Sequence, residues 1–79
     1  MTFTSEEIKN ILVGNIKKYR KKQNLTQEQA AEKADITVKY WQRLEMSSQK
    51  DLPSLIVLFK IAQALEIKPH KLLETPVQR

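Results

Sequence analysis

The apolar residues of this chain recur at intervals of three and four, and this spacing constrains the fold more than any other feature. Between Ser5 and about Lys22 the recurring residues are Ile8, Ile11, Leu12, Ile16 and Tyr19. Such spacing places apolar side chains on one face of a helix. No segment shows the sustained alternation of period two that marks a half-buried strand. The sequence therefore predicts an all-α fold.

Capping residues predict where the first two helices begin. Ser5 is the predicted N-cap of the first helix, because Glu6 and Glu7 then lie in the first turn, where the helix dipole favours acids. Thr26 is the predicted N-cap of the second helix. Gln29 follows it by three residues, which is the spacing of a capping box.

Three further helices complete the predicted bundle. The third covers about residues 37–46, with Thr37 as its N-cap, and the fourth covers roughly residues 54–66. A short last helix begins near Pro69 and ends at Pro76. The residues predicted to face inward from the fourth helix are Leu55, Leu58, Ile61, Ala62 and Leu65. We expect a five-helix bundle.

Length and composition exclude several classes of protein. A chain of 79 residues buries only about 60% of its unfolded surface, so we expect one domain over residues 1–79, with a core in residues 5–75 and no deep cleft. There is no cysteine and one histidine, which excludes a disulfide framework and a Cys/His zinc site. No leader pattern or run of about 18 apolar residues is present. We expect a cytoplasmic protein without a metal, cofactor, small-molecule ligand or membrane contact.

The positive charge of the chain favours an anionic partner. The net charge is +5 and the isoelectric point is near 9.6, and nucleic acid is the usual partner of a small basic domain. Five basic residues crowd the end of the first helix, whereas the acids are scattered: Lys17, Lys18, Arg20, Lys21 and Lys22. Simple solubility is the alternative explanation.

Arg20 differs from its basic neighbours because helical spacing places it on the apolar face, four residues after Ile16. A charge on that face requires a partner. Glu45 follows Trp41 by four residues and is the acid best placed to face inward. The spacing predicts an Arg20–Glu45 ion pair that joins the first and third helices. Alternatively, Arg20 is one more cation that faces phosphates.

The second and third helices are joined by a short turn at residues 34–36, which is the arrangement of a helix-turn-helix. Three polar side chains of the third helix point away from Trp41: Lys39, Gln42 and Arg43. Arginine and glutamine can each form two hydrogen bonds with a base edge, to guanine and adenine respectively. An ordinary solvated face is the alternative.

Nothing in the sequence favours catalysis. It contains no paired carboxylates, Ser-His-Asp set, glycine-rich phosphate loop or metal-ligand spacing. His70 has no nucleophile or obvious carboxylate partner, and a surface position explains it. We therefore predict that the protein is not an enzyme.

Two stretches of the chain carry a family pattern. They are IKKYRKKQNLTQEQAAEKADITVKYWQRLE and LPSLIVLFKIAQALEIKPHKLL. Together they resemble the Cro and lambda-repressor type of helix-turn-helix, the XRE family of bacterial and phage regulators, over about residues 12–74. The resemblance implies a lambda-repressor-like bundle that binds a double-stranded DNA operator as a transcription regulator. Its recognition helix, about residues 37–46, would enter the major groove.

The resemblance and the charge pattern also imply roles for individual residues. Predicted base-reading residues are Val38, Lys39, Gln42 and Arg43. Predicted phosphate-contacting residues are Lys18, Thr26, Gln27, Thr37, Tyr40, Ser47 and Lys50. Arg20 and Glu45 match the internal salt bridge of the family, in agreement with the spacing argument.

The chain departs from the family pattern in four places, one of which is Lys68, where a capping serine is common before the last helix. Asp35 stands where the turn usually carries glycine, and Asp tolerates the left-handed conformation better than most residues. Trp41 replaces a smaller aliphatic residue, and we interpret it as a core residue, with base stacking as the alternative. The loop from Met46 to Leu52 is longer than the family's usual turn, so its phosphate contacts are the least defined.

Two interpretations concern protein partners. A homodimer through the fourth and fifth helices would use apolar residues that are equally suited to the core: Ile56, Val57, Phe59, Leu72, Leu73 and Val77. As an alternative to DNA binding, the chain is an antitoxin-like or adaptor module that binds another protein with the same fold.

Overall fold

The computed structural model of the protein describes residues 2–75, which contain four α-helices and a 3-10 helix. The elements are α1 (Ser5–Lys22), α2 (Gln27–Ala34), α3 (Val38–Leu44), α4 (Leu55–Ala64) and the 3-10 helix (Pro69–Leu73). Residues 2–75 contain no strand, so the all-α prediction is confirmed.

The count of five α-helices is not confirmed, because the last element is a short 3-10 helix. Lys68 precedes it and forms no side-chain cap hydrogen bond, since an ammonium group has no acceptor to offer the first N–H groups. The predicted stop at Pro76 lies outside the described residues, as does Val77. The third and fourth helices are also shorter than predicted, because α3 ends at Leu44 and α4 at Ala64.

Hydroxyl caps begin all four α-helices. Each cap oxygen accepts a hydrogen bond from the backbone N–H three residues later, and the cap residues are Thr4, Thr26, Thr37 and Ser54. The prediction of Ser5 as the first cap is wrong by one residue. Thr4 places Glu7 at the third helical position, where its carboxylate accepts from the Thr4 N–H at 2.8 Å. With Ser5 as the cap, apolar Ile8 would occupy that position and no capping box would form.

The turn between α2 and α3 depends on Asp35. Its φ of 59° and ψ of 45° are left-handed, as its place in the usual glycine position predicted. The N–H of the next residue, Ile36, donates to the carbonyl of Ala31 at 3.1 Å, which satisfies a free carbonyl at the end of α2. Three residues therefore separate α2 from α3.

The core lies where α2 packs against α3 and α4. Three alanines of α2 are buried there, and their small side chains allow close approach: Ala30, Ala31 and Ala34. Trp41 of α3 is fully buried, which supports a core role over base stacking. It packs with large residues of α1, α3, α4 and the 3-10 helix, including Ile16, Leu44, Ile61 and Leu72.

Asn15 anchors the 3-10 helix to α1. Its Nδ2 donates to the backbone carbonyls of Leu72 at 2.8 Å and Glu74 at 2.9 Å. Both acceptors lie at or beyond the last turn of the 3-10 helix, where carbonyls have no partner within the helix. A buried amide side chain thus fixes the end of the 3-10 helix against α1.

Leu55 is predicted to face inward, but 73% of it is exposed. It lies in the first turn of α4, and burial begins only one turn later, at Leu58. Ile56 and Phe59 are also exposed, by 72% and 57%. We call Leu55, Ile56 and Phe59 the α4 apolar surface.

Gly14 lies in the middle of α1, and replacing it with alanine should stabilise the fold. No heavy atom outside its own helix segment lies within 4 Å of a Cβ built at this position, and its φ is not positive. Gly14→Ala should therefore raise the free energy of unfolding by about 0.5 to 1 kcal/mol and the Tm by several degrees. Thermal unfolding followed by circular dichroism measures this change. A lower Tm would contradict an unobstructed helical position.

Candidate nucleic-acid interface

The outward side of α3 carries the polar side chains that were predicted to read bases. Lys39, Gln42 and Arg43 are exposed. On the opposite side, Trp41 and Leu44 are buried. One side of the helix is thus held by the core, and the other presents two cations and an amide to solvent.

Two other residues of α3 that were predicted to contact DNA also pack against the core. Val38 and Tyr40 are half-buried and pack against the core cluster. Each keeps part of its side chain accessible. Base reading by Val38 and phosphate contact by Tyr40 stay predictions.

The carboxylate of Glu45, directly after α3, accepts four hydrogen bonds. Arg20 donates two of them, from Nε at 2.7 Å and from Nη2 at 3.1 Å. The indole Nε1 of Trp41 donates at 2.6 Å, and Nε2 of Gln27 donates at 3.0 Å. The side chain of Glu45 is only 2% exposed. The structure thus brings together the pair predicted from spacing and adds two donors that the sequence did not reveal.

Arg20 is turned fully toward the protein. Its remaining terminal nitrogen, Nη1, donates to the carbonyl of Leu25 at 2.8 Å, in the loop before α2. All three guanidinium nitrogens therefore have internal partners, which favours the structural role over a phosphate contact. Burial raises the pKa of Glu45, but hydrogen bonds from Arg20, Trp41 and Gln27 outweigh burial and hold this pKa below its ordinary value.

Gln27 opens α2, where a phosphate contact was predicted, but its side chain is half-buried and bound to Glu45. The amide nitrogen carries two hydrogens, so one is left for another acceptor. The backbone N–H of a first helical residue has no acceptor within the helix. Gln27 can therefore offer a phosphate two donors, the second hydrogen of its side-chain amide and its backbone N–H.

The basic end of α1 is exposed, apart from the inward-turned Arg20. Its exposed residues are Lys17, Lys18, Lys21 and Lys22. The Lys18 ammonium lies 4.8 Å from the centre of the Tyr19 ring, a cation–π distance. Ser47 and Lys50 are exposed in the loop that follows α3. Their predicted phosphate contacts stay predictions.

The loop between α3 and α4 is held by two residues that sequence reasoning missed, Lys9 and Asp51. The Asp51 carboxylate lies 3.0 Å from Nη2 of Arg43. Lys9 is only 1% exposed, and its ammonium donates to the backbone carbonyls of Asp51 at 3.0 Å and Arg43 at 3.4 Å. Burial lowers the pKa of Lys9, and the charge of Asp51 offsets part of that effect. Lys9 precedes the buried Leu12 by three residues, so its helical position was a usable signal.

Residues 2–75 contain neither a cluster of metal-ligating side chains nor a membrane-spanning helix. In that part of the chain, no group of three or more His, Cys, Asp or Glu side chains is arranged to hold a metal ion. Its helices are all too short or too polar to cross a bilayer.

A protein-family model described as helix-turn-helix matches residues 16–72. The match covers well over half of the chain, from the middle of α1 to the 3-10 helix, and includes α2, α3 and their turn. Comparison with curated proteins gives no match, and neither does comparison with solved structures.

Proposed function

The chain belongs to the XRE family of helix-turn-helix proteins, and from this membership we propose that it binds double-stranded DNA sequence-specifically as a bacterial or phage transcription regulator. The observation that carries the proposal is the exposed polar side of α3, with Lys39, Gln42 and Arg43 opposite a buried side. The major groove of B-DNA is about 12 Å wide and admits one α-helix. In this role α3 enters the groove, and the protein works in the cytoplasm, where bacterial DNA lies.

Phosphate contacts hold α3 in the groove. The hydroxyls of Thr26 and Thr37 accept helix-capping N–H groups, at 3.0 and 3.1 Å, and each hydroxyl keeps one proton to donate. Lys18, Ser47 and Lys50 are exposed and supply two charges and a hydroxyl. Such contacts fix the register on the duplex without reading sequence.

A symmetric dimer is the form that best uses the α4 apolar surface. Leu55, Ile56 and Phe59 are more than half exposed, and large exposed apolar side chains favour association. A two-fold dimer would present two copies of α3 to half-sites about one helical turn apart. Among the predicted interface residues that the structure describes in the last helix, Leu72 is fully buried and the half-exposed Leu73 can contribute.

Selection from a random pool of duplexes tests the proposal directly. We expect enrichment of one sequence, arranged as a palindrome with half-sites about 10 base pairs apart if the protein is a dimer. Binding of the enriched duplex should weaken steeply as salt concentration rises. Absence of enrichment, or affinity independent of salt, would contradict DNA recognition.

The α4 apolar surface also favours a second candidate function, an antitoxin-like or adaptor role in which this surface binds another protein. A partner held by apolar contacts should bind with little dependence on salt, because no counterions are released. Substitution of Phe59 by serine separates the two roles. It should abolish binding of a protein partner, whereas an isolated half-site would still be bound by a DNA-binding monomer.

Arg43 and Lys18 should differ in their effects on DNA binding. Arg43→Ala should remove about 1 to 3 kcal/mol of discrimination at one base position, because a bidentate base contact is lost. Lys18→Ala should weaken selected and scrambled duplexes alike and reduce the salt slope by about one unit. Titration of both variants against both duplexes, at several salt concentrations, measures these effects. If both substitutions affected the two duplexes equally, the assigned roles would be wrong.

A further inference from the structure

The loop after α3 returns an acidic side chain to the arginine that is proposed to read bases. Nη2 of Arg43 and Oδ2 of Asp51 lie 3.0 Å apart, and the two residues are eight positions apart in the chain. The side chains are 49% and 44% exposed, so the guanidinium is held on one edge and remains open to solvent elsewhere.

Lys9 fixes the backbone on both sides of this pair. Its ammonium donates to the carbonyls of Asp51 and Arg43, at 3.0 and 3.4 Å, from a fully buried position on α1. An exposed ion pair between two mobile side chains is weak, because ordering the side chains costs entropy. Here the backbone of the acid and the backbone of the arginine contact the same buried cation, so less freedom remains to be lost when the pair forms.

We propose that Asp51 is a specificity-determining positioning residue, which orients the guanidinium of Arg43 for a base edge and restrains it from contacting phosphates. This inference rests on the DNA-binding function proposed above. A guanidinium is a rigid fork with five N–H donors, and Asp51 engages one nitrogen, which leaves the others pointing in a defined direction. Without Asp51, Arg43 is free to contact phosphates of any sequence, and such contacts carry no sequence information.

The charge of Asp51 also disfavours contacts with phosphates. A carboxylate beside the groove repels phosphates and so lowers affinity for every duplex. The correct base edge compensates for this repulsion only when Arg43 is oriented to meet it. Asp51 therefore lowers affinity for unselected sequences and increases discrimination between sequences.

Asp51→Asn in the full chain tests the proposal. Asparagine has nearly the same size and keeps the backbone carbonyl that Lys9 binds, but it removes the charge. The probes are the duplex that the wild-type chain selects from a random pool and a scrambled duplex of equal length and composition. Asp51→Asn should bind the scrambled duplex about 3- to 10-fold tighter and the selected duplex nearly unchanged, so the specificity ratio should fall by a similar factor.

The same substitution in an Arg43→Ala background separates positioning from simple repulsion. If Asp51 acts through Arg43, Asp51→Asn should leave the specificity ratio of Arg43→Ala unchanged. Glu66→Gln is the matched control, because Glu66 also forms an exposed ion pair, with Lys33 at 3.4 Å. It should leave the specificity ratio of the wild-type chain unchanged. Should Asp51→Asn not fold, as judged by thermal unfolding, Asp51→Ser repeats the test with a smaller neutral side chain.

Two results would overturn the inference alone. The first is that Asp51→Asn increases affinity for the selected and the scrambled duplex by the same factor. The second is that Asp51→Asn changes the specificity ratio equally in the wild-type and Arg43→Ala backgrounds. In both cases the wild-type chain would still prefer its selected duplex, so the proposed function would stand. If the wild-type chain bound neither duplex, the proposed function would fail and the inference with it.

Discussion

Replacing Glu45 with alanine should lower the free energy of unfolding by about 3 to 5 kcal/mol, because it removes one partner of a buried ion pair. The substitution leaves Arg20, Gln27 and Trp41 with donors that have lost their acceptor. For a domain of this size, each kcal/mol corresponds to about 4 to 8 °C in Tm, so we expect Tm to fall by more than about 12 °C. Urea and thermal unfolding measure the two quantities.

Glu32→Ala provides the control for Glu45→Ala. Glu32 is an exposed residue of α2, and surface substitutions usually change stability by less than about 0.5 kcal/mol. A small effect of Glu45→Ala, similar to that of Glu32→Ala, would show that the four hydrogen bonds contribute little to stability.

The dependence of stability on pH provides a second test of the Glu45 site. The pKa of Glu45 in the folded protein is lowered, so its stabilising contribution is present above the pKa of the unfolded chain, about 4.3. The contribution is lost as pH falls through the lower, folded pKa. The difference in free energy of unfolding between the wild type and Glu45→Gln should therefore be largest near pH 7 and decrease below about pH 4. A difference that stayed constant down to pH 2.5 would contradict this expectation.

Trp41→Ala should also lower the free energy of unfolding by about 3 to 5 kcal/mol, because it leaves a cavity in the core. Trp41 is fully buried, and its indole N–H is also one of the donors to Glu45, at 2.6 Å. Domains of ordinary stability have only about 5 to 15 kcal/mol in total, so this variant should be marginally folded at 25 °C. Urea titration followed by far-ultraviolet circular dichroism measures the loss.

Trp41→Phe separates the two contributions of the tryptophan. Phenylalanine retains an aromatic ring in the core but cannot donate to Glu45. We expect a smaller loss, about 1 to 3 kcal/mol, from the missing hydrogen bond to a buried carboxylate. If Trp41→Phe were as damaging as Trp41→Ala, the N–H donor would matter more than the packing.

The Glu45 site bears on the proposed function because its donors come from three helices. Arg20 lies on α1, Gln27 begins α2 and Trp41 lies within α3. One carboxylate therefore sets the position of α3 relative to the start of α2, and with it the direction of the polar side of α3. The buried side chains on the inner side of α3 thus set the direction of the proposed DNA contacts on its outer side.

Local chemistry explains what could be predicted about this protein. Helix starts follow from hydroxyl caps and capping boxes, and the left-handed turn at Asp35 follows from the tolerance of one residue type, so both depend on a few neighbouring residues. The error at Ser5 has a local cause too, because Thr4 alone places an acid at the third helical position. The Arg20–Glu45 pair could also be predicted, because each residue lies on the inner face of a predicted helix, where few other partners for its charge exist.

The sequence by itself thus determined the four α-helices, the turn between α2 and α3 and the inward or outward side of most residues, because helical periodicity is a local property. The tertiary structure alone decided which side chains meet. Lys9 contacts the carbonyl of Asp51, 42 positions away, and the Gln27 amide reaches Glu45. It also decided that Leu55 is exposed, since periodicity defines an apolar stripe but only neighbouring elements define how far along the helix the stripe is covered. The tertiary structure also decided the placement of Asp51 against Arg43, because this placement depends on how the loop is held against α1.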